Sequence, residues 1–245
     1  MSQGEKLVIF AGEGASADAV SALSRRVGAP VSERMGEELT LVLDRDGLSL
    51  VGCGLTLRGD FEEMLRRLTN GRLSHEMLVK LTKTASPHPT AVDATAGMGE
   101  DALLLAAAGY EVTLFEQDAV IAALLRDTMT RARKHPVLGE IVARMTLIEG
   151  NSIAGMASLE KAPDIIYLDP MFPARKKSGL INKKLQLLQK LEQPCTEEAE
   201  LVGAAYALKP KKIIIKRPLN GAFLAGRKPS YTVKGKAIRY DVLVP

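Results

Sequence analysis

Cysteine and histidine are scarce in this chain of 245 residues. The two cysteines, Cys53 and Cys195, stand far apart and outside any metal-ligand spacing. They read as buried or incidental thiols, and a reducing cytoplasmic compartment is expected. The three histidines, His75, His88 and His135, have no carboxylate or cysteine at metal-binding intervals, so no metal is expected. No apolar run approaches the roughly 20 residues of a membrane span, and Met1 to Lys6 lacks the charged-then-apolar pattern of a signal peptide. Also missing are a G-x-S-x-G elbow, a Walker loop and a zinc-deaminase signature, which removes three common chemistries.

What remains is ordinary in amount and uneven in charge. A hydrophobic share of 46% is enough for a globular core. The net charge of +4 conceals an asymmetry: Met171 to Tyr240 holds 16 Lys and Arg against 4 Glu, so the rest of the chain is net acidic. Solvated lysines explain any single one of these residues. A basic block beside an acidic remainder points to a polyanionic partner, with nucleic acid favoured.

Residues 1–66 read as a small α+β unit. Leu7 to Phe10 is a short apolar run, Ser16 can cap a helix ending near Gly28, and Leu39–Leu43 with Leu48–Val51 flank an Asp46-Gly47 turn. This unit groups no catalytic side chains, so a structural or substrate-docking role is expected. Residues 67–245 form the second unit. Its first part, 67–89, belongs to an amphipathic, basic lead-in that starts near Phe61 and closes at Pro87-His-Pro89. Strands are then predicted at 91–93, 111–115, 145–148, 164–168, 211–216 and 238–244. Helices are predicted at 100–108, from Asp118 to about Lys134, and at 196–208. Strand-helix alternation with apolar strands predicts an α/β fold, a mainly parallel sheet with helices on both faces.

Ligands of such sheets lie at the carboxyl ends of the strands. Four strand ends carry suggestive residues: Asp93 to Asp101 with Gly97 and Gly99, Glu116-Gln117, Asn151-Ser152, and Asp169-Pro170. Glycines let the backbone turn and approach a ligand. Glu116 suits a carboxylate accepting two ribose hydroxyls, and Asn151 or Ser152 an adenine edge. The loop also satisfies the dinucleotide pattern G-x-G-x-x-A. A dinucleotide, however, sets its pyrophosphate at the helix N-terminus, where Glu100 and Asp101 would repel it. S-adenosylmethionine (SAM) has no phosphate and carries a sulfonium and an ammonium, so acids there are tolerable. Their other reading is that both merely stabilise the helix dipole.

The turn Asp169-Pro-Met-Phe-Pro173 follows a strand expected in the middle of the sheet. An exocyclic nucleobase amine is a weak nucleophile because its lone pair is delocalised into the ring. Asp169 and the carbonyl of Pro170 can accept its two N–H bonds, and Phe172 can stack on the base. Alignment then supplies most of the acceleration, with proton removal late, and a base in folded RNA must be splayed out to enter. Arg175, Lys176, Lys177, Lys183, Lys184, Lys216 and Arg217 follow this turn, with Lys209, Lys211, Lys212, Arg227 and Lys228. They are expected to bind phosphates, with strong salt dependence.

At these residues the chain resembles the ribosomal RNA small subunit methyltransferase J family. The resemblance rests on Asp93-Ala-Thr-Ala-Gly-Met-Gly99, on Tyr167-Leu-Asp-Pro-Met-Phe-Pro173 with Lys177-Ser178, and on Lys216-Arg-Pro218. The Leu168–Pro173 string is far more specific than the general Asp-Pro-Pro-aromatic signature of amino-methylating enzymes. Order and spacing look similar over nearly the whole chain. The resemblance implies a class I, Rossmann-like methyltransferase that moves a methyl group from SAM to the N2 amine of a guanosine in 16S rRNA. It implies rRNA or the small ribosomal subunit as partner, and cofactor contacts at Glu100, Asp101, Glu116, Gln117, Asn151, Ser152 and Asp169. Two other readings stay open: a methyltransferase for adenine N6 or another nucleobase amine, and a non-catalytic RNA-binding or assembly factor. The intact glycine loop and Asp169 turn speak against the latter.

Overall fold

A computed structural model of the chain describes residues 7–36, 38–171, 187, 191 and 196–245. Two sheets organise it. The first runs β2 (Val31–Ser32), β1 (Leu7–Ala11), β3 (Leu39–Asp44), β4 (Gly47–Gly52), β5 (Leu55–Leu57) in spatial order. The expected hairpin is β3 and β4, closed by the pair Asp44 and Gly47. Helix α1 (Ala17–Val27) starts where Ser16 accepts the Ala19 N–H and stops at Gly28 in the left-handed conformation.

The lead-in is broken into short helical pieces: a 3-10 turn at Glu62–Met64, then α2 (Leu65–Leu68), α3 (Asn70–Leu73) and α4 (Met77–Thr82). Extended backbone at Thr69 and Glu76 interrupts a continuous helix. The pieces bury Met64, Leu68, Leu73, Leu78 and Leu81 against the main sheet.

That sheet has the order β11 (Tyr231–Lys234), β12 (Ile238–Leu243), β10 (Lys212–Pro218), β9 (Ile165–Leu168), β6 (Thr90–Asp93), β7 (Glu111–Glu116), β8 (Met145–Glu149). From β6 through β10 the strands are parallel, while β12 runs antiparallel to both β10 and β11. The chain steps from β6 outward to β8, then returns to β9 on the other side of β6. The strand order therefore reverses between β6 and β9, where a crevice opens at the carboxyl ends.

Side-chain alternation assigns the two faces. Ala91, Ile165, Tyr167, Ile214, Tyr240 and Val242 pack toward α4 and α5 (Glu100–Ala107), with α7 (Leu138–Val142) alongside. Val92, Ile166, Leu168, Ile213, Ile215 and Leu243 pack toward α8 (Ser152–Ala157) and α9 (Glu198–Ala207). Helix α6 (Ala119–Ala132) is apolar nearly all round because two layers cover it. Its Leu125, Met129 and Ala132 join the main core. Val120, Ala123 and Leu124 join the core of the first sheet. Among the described residues no helix is long and apolar enough to cross a membrane.

Candidate active site

The crevice at the switch point holds a cavity of about 670 Å³. Asp93, Gly97, Glu100, Asp101, Glu116, Gln117, Asn151, Ser152, Asp169 and Pro170 all line it, so one space collects the four strand ends. Two glycines shape the loop: Gly97 at φ +52° and Gly99 at φ +77° take left-handed conformations that favour glycine. A Cβ on Gly99 would also fall 2.6 Å from Leu125 Cδ1, so this position needs glycine twice over.

Glu116, 8% exposed, ties the loop to β7. Its Oε2 accepts the Gly97 N–H at 2.9 Å and its Oε1 the Asp118 N–H at 2.8 Å. The Gln117 N–H also favours its charged form, and since a carboxylate offers about four acceptor positions, capacity is left for a ligand hydroxyl. Asn151 caps α8 by accepting the Ile153 and Ala154 N–H groups, which occupies its carbonyl oxygen and leaves its NH2 for a ligand. Gln117 and Glu100 are exposed at the rim.

The acids of the crevice are poorly solvated. Burial drives the Asp93 carboxyl up to about 8, against the Thr95 N–H that favours its charged form. Burial also raises Glu116 and Asp169, the latter against the pull of Lys216. Acids whose ionisation is opposed by burial are ones that a bound cation would help to ionise, so the pocket suits a ligand bearing positive charge, and the glycine turn gives that ligand a close backbone approach. The residues present therefore fit SAM.

The reacting turn is anchored from both sides of the switch point. Asp169 N–H donates to Thr95 Oγ1 at 2.7 Å. Ile215 pairs with Leu168, which sets the next residue, Lys216, level with Asp169. Lys216 Nζ lies 2.9 Å from Asp169 Oδ2 and 2.8 Å from Asp101 Oδ2. Asp101 Oδ2 also accepts the Tyr167 hydroxyl at 2.6 Å. Tyr167, Lys216 and Tyr240 share the α5 face of the sheet, which is why the polar tips of the first two meet at the start of that helix.

Three expectations are corrected here. Lys216 does not face a phosphate surface, because two carboxylates hold it inside the crevice. Arg217 points to the opposite face and is 4% exposed, donating to the Ala222 carbonyl and lying 3.9 Å from Glu198. Strand alternation separates these neighbours, so they form no joint basic patch. Asp101 is likewise not a bare acid at the first turn of α5, since Lys216 and the Tyr167 hydroxyl engage it, and exclusion of a pyrophosphate there falls mainly on Glu100. Phe172, Arg175, Lys176, Lys177, Lys183 and Lys184 lie outside the described residues.

Sequence reasoning missed the first sheet's share in the site. Leu57, Arg58, Gly59, Asp60 and Phe61 form part of the cavity wall. Their local sequence carries no signal for this, because the contact depends on how α6 bridges the two sheets. Tyr167 and Lys216 did carry one: each is a polar group in or directly after an apolar run, near the carboxyl end of a strand beside the crevice. Among the described residues no group of three or more His, Cys, Asp or Glu is placed to hold a metal.

The strand order, the glycine loop and the acid-lined crevice define a class I SAM-dependent methyltransferase. Residues 27–245 match the family described as "Putative SAM-dependent methyltransferase". The chain is 37% identical over 237 residues to ribosomal RNA small subunit methyltransferase J of Thioalkalivibrio sulfidiphilus, covering 91% of each. It is 39% identical over 235 residues to the protein of that name from Ectopseudomonas mendocina, covering 92% of this chain and 89% of the relative. A crystal structure of a SAM-dependent methyltransferase from Neisseria gonorrhoeae superposes with a TM-score of 0.75 at 33% identity, covering 97% of this chain and 96% of that one. The chain belongs to the ribosomal RNA small subunit methyltransferase J family.

Proposed function

We propose that this enzyme methylates the exocyclic N2 amine of a guanosine in small-subunit rRNA. The observation that carries the proposal is the Asp169-Pro170 turn beside the glycine loop, at the wall of the cavity that suits SAM. The relatives named for small-subunit rRNA support the polymer. The specific Leu168–Pro173 string supports the guanine amine. An rRNA substrate places the enzyme in the cytoplasm, with the small subunit or its RNA as partner.

SAM, when bound, supplies a methyl group on a positively charged sulfur. Glu116 holds the ribose hydroxyls, Asn151 and Ser152 border the adenine, and Gly97 and Gly99 let the backbone approach. Gln117, Glu100 and Asp101 complete the rim, with Asp93 beneath the loop. Asp169 and the Pro170 carbonyl accept the two N–H bonds of the incoming amine, which aims its lone pair at the methyl carbon. Phe172 stacks on the base. The proton shed by the nitrogen is taken at the Asp169 carboxylate, a late and easy step. Arg175, Lys176, Lys177, Lys183 and Lys184 grip the phosphates and orient the RNA.

Mass spectrometry of rRNA nucleosides from cells lacking the protein tests this reading. Loss of one N2-methylguanosine, restored by the gene, is the expected result. Loss of a methylated adenosine would replace the base, and an unchanged profile would overturn the proposal.

A further inference from the structure

Lys216 is bound by more than its strand. Its ammonium bridges Asp101 Oδ2 at 2.8 Å on α5 and Asp169 Oδ2 at 2.9 Å at the end of β9. Asp101 is fixed in turn by the Tyr167 hydroxyl at 2.6 Å. The lysine therefore ties the helix of the cofactor loop to the reacting turn. With Oδ2 of Asp169 engaged by Lys216, Oδ1 has no bond to any of the other described residues and is the oxygen that can meet a substrate N–H.

The electrostatic setting gives that bridge a task. Among the described residues, Asp169 shares its surroundings with Asp101 on α5, Asp93 on β6, Tyr167 on β9, Arg217 on β10 and Tyr240 on β12. The neighbouring acids and the low solvation favour a protonated Asp169. A protonated carboxyl loses acceptor strength and turns a donor toward the amine it should receive. Lys216 opposes this. Burial weakens its charge, but Asp101 and Asp169 outweigh that effect and hold its pKa above the ordinary lysine value. A cation two carboxylates stabilise stays charged at every pH where the reaction runs.

We propose that Lys216 is a positioning residue of the transfer reaction, holding Asp169 ionised and turned so that Oδ1 faces the amine. The inference rests on the reading of Asp169 as the amine acceptor.

Carboxyl-carbon NMR of the full chain, labelled in aspartate, reads the titration of Asp169 directly, with Asp169→Asn assigning the signal. In Lys216→Met the Asp169 titration should move up by about one to three pH units, the usual effect of an opposite charge at this range. Lys216→Arg keeps the charge and should leave the titration near its original position. The acid limb of the single-turnover rate on rRNA should move with the titration in Lys216→Met and return in Lys216→Arg. A lysine that only braces the fold would lower the rate without displacing that limb. An Asp169 that titrates alike in the original chain and in Lys216→Met overturns the proposal. If Lys216→Met does not fold, Asp101→Asn decides instead: with one competing acid removed, Asp169 should titrate lower, and an unmoved signal rejects the bridge. Should Asp169→Asn retain full transfer, the acceptor reading fails while the NMR titration still judges the lysine.

Discussion

The main sheet carries an ion network on each face of β10, and the two are built differently. On the α9 face Arg239 donates from Nε and Nη2 to Asp241 at 3.0–3.1 Å and from Nη1 to the carbonyls of Pro218 and Leu219. Thr232 adds a bond to Asp241 at 2.8 Å. The Arg239 and Asp241 side chains are 5% and 3% exposed, so the pair is sealed. On the α5 face Lys216 is 26% exposed and its partner Asp169 33%, and both line a cavity. The closed network matches its charges from within and has nothing left to offer. Among the described residues the open one sets two carboxylates against one ammonium, and Oδ1 of Asp169 is not taken by that ammonium. A buried ion pair is by itself weak evidence of function; the excess charge and the opening distinguish the working face.

The sharpest way to break this comparison is to remove the open network's acceptor. Asp169→Asn preserves shape but loses the charge, and transfer from SAM to rRNA should fall by about 100- to 10,000-fold. SAM affinity measured by calorimetry should change far less. An Asn variant turning over at the original rate would strip Asp169 of its role.

The closed network should fail in the other currency, stability. Arg239→Met takes from the buried Asp241 carboxylate its charge partner and leaves it the Thr232 hydroxyl bond, at a cost of about 3–5 kcal/mol. Urea unfolding should register that loss, while SAM affinity of the folded variant stays unchanged. If SAM affinity drops and stability does not, the two faces have been assigned the wrong way round.

A smaller effect belongs to the cofactor side. Glu116→Gln weakens charge-assisted acceptance of hydroxyls, each such bond contributing about 1.5–3 kcal/mol. SAM affinity should fall by about 10- to 100-fold. The Gly97 and Asp118 N–H bonds also lose strength, so the thermal midpoint of the cofactor-free protein is the control that separates binding from loop collapse.

Much of this was legible in the sequence for physical reasons. β9 and the centre of β10 are continuous apolar runs because both faces are buried, β6 and β7 are largely apolar between polar ends, and Ser16 and Asp118 announce helix starts through their side chains. The Asp93 to Asp101 loop and the Asp169 turn could be placed together because parallel strands bring their carboxyl ends to one edge. The short strands β2, β5 and β11, and helices α7 and α8, were not foreseen. They are held by pairing and packing with distant residues, as Tyr231 against Val242 shows. Lys216 and Arg217 were misread for a related reason. Counting charge along the chain ignores the period of two that sends adjacent side chains of a strand to opposite faces.

The finest distinction between the faces lies in Asp93, 1% exposed, whose charge is not matched as Asp241's is by Arg239. Lys216, the cation among the described residues that favours the charged form of Asp93, is engaged by Asp101 and Asp169. With a folded pKa of about 8 against 3.8 for an ordinary aspartate, the folded protein keeps a proton that the unfolded chain has already released. Stability must therefore decline as pH rises through that window and stay lower above it. Asp93→Asn has no charge to bury, so its thermal midpoint should decline less between these limits. If the positive charge of bound SAM lies beside Asp93, binding should favour its charged form and draw off the proton near neutral pH. Calorimetry in buffers of different ionisation heat should count up to about one proton released per SAM, and fewer in Asp93→Asn. Equal proton counts in the two proteins would mean that Asp93 keeps one protonation state through binding, and a thermal midpoint that then declines alike in both would mark it as already ionised.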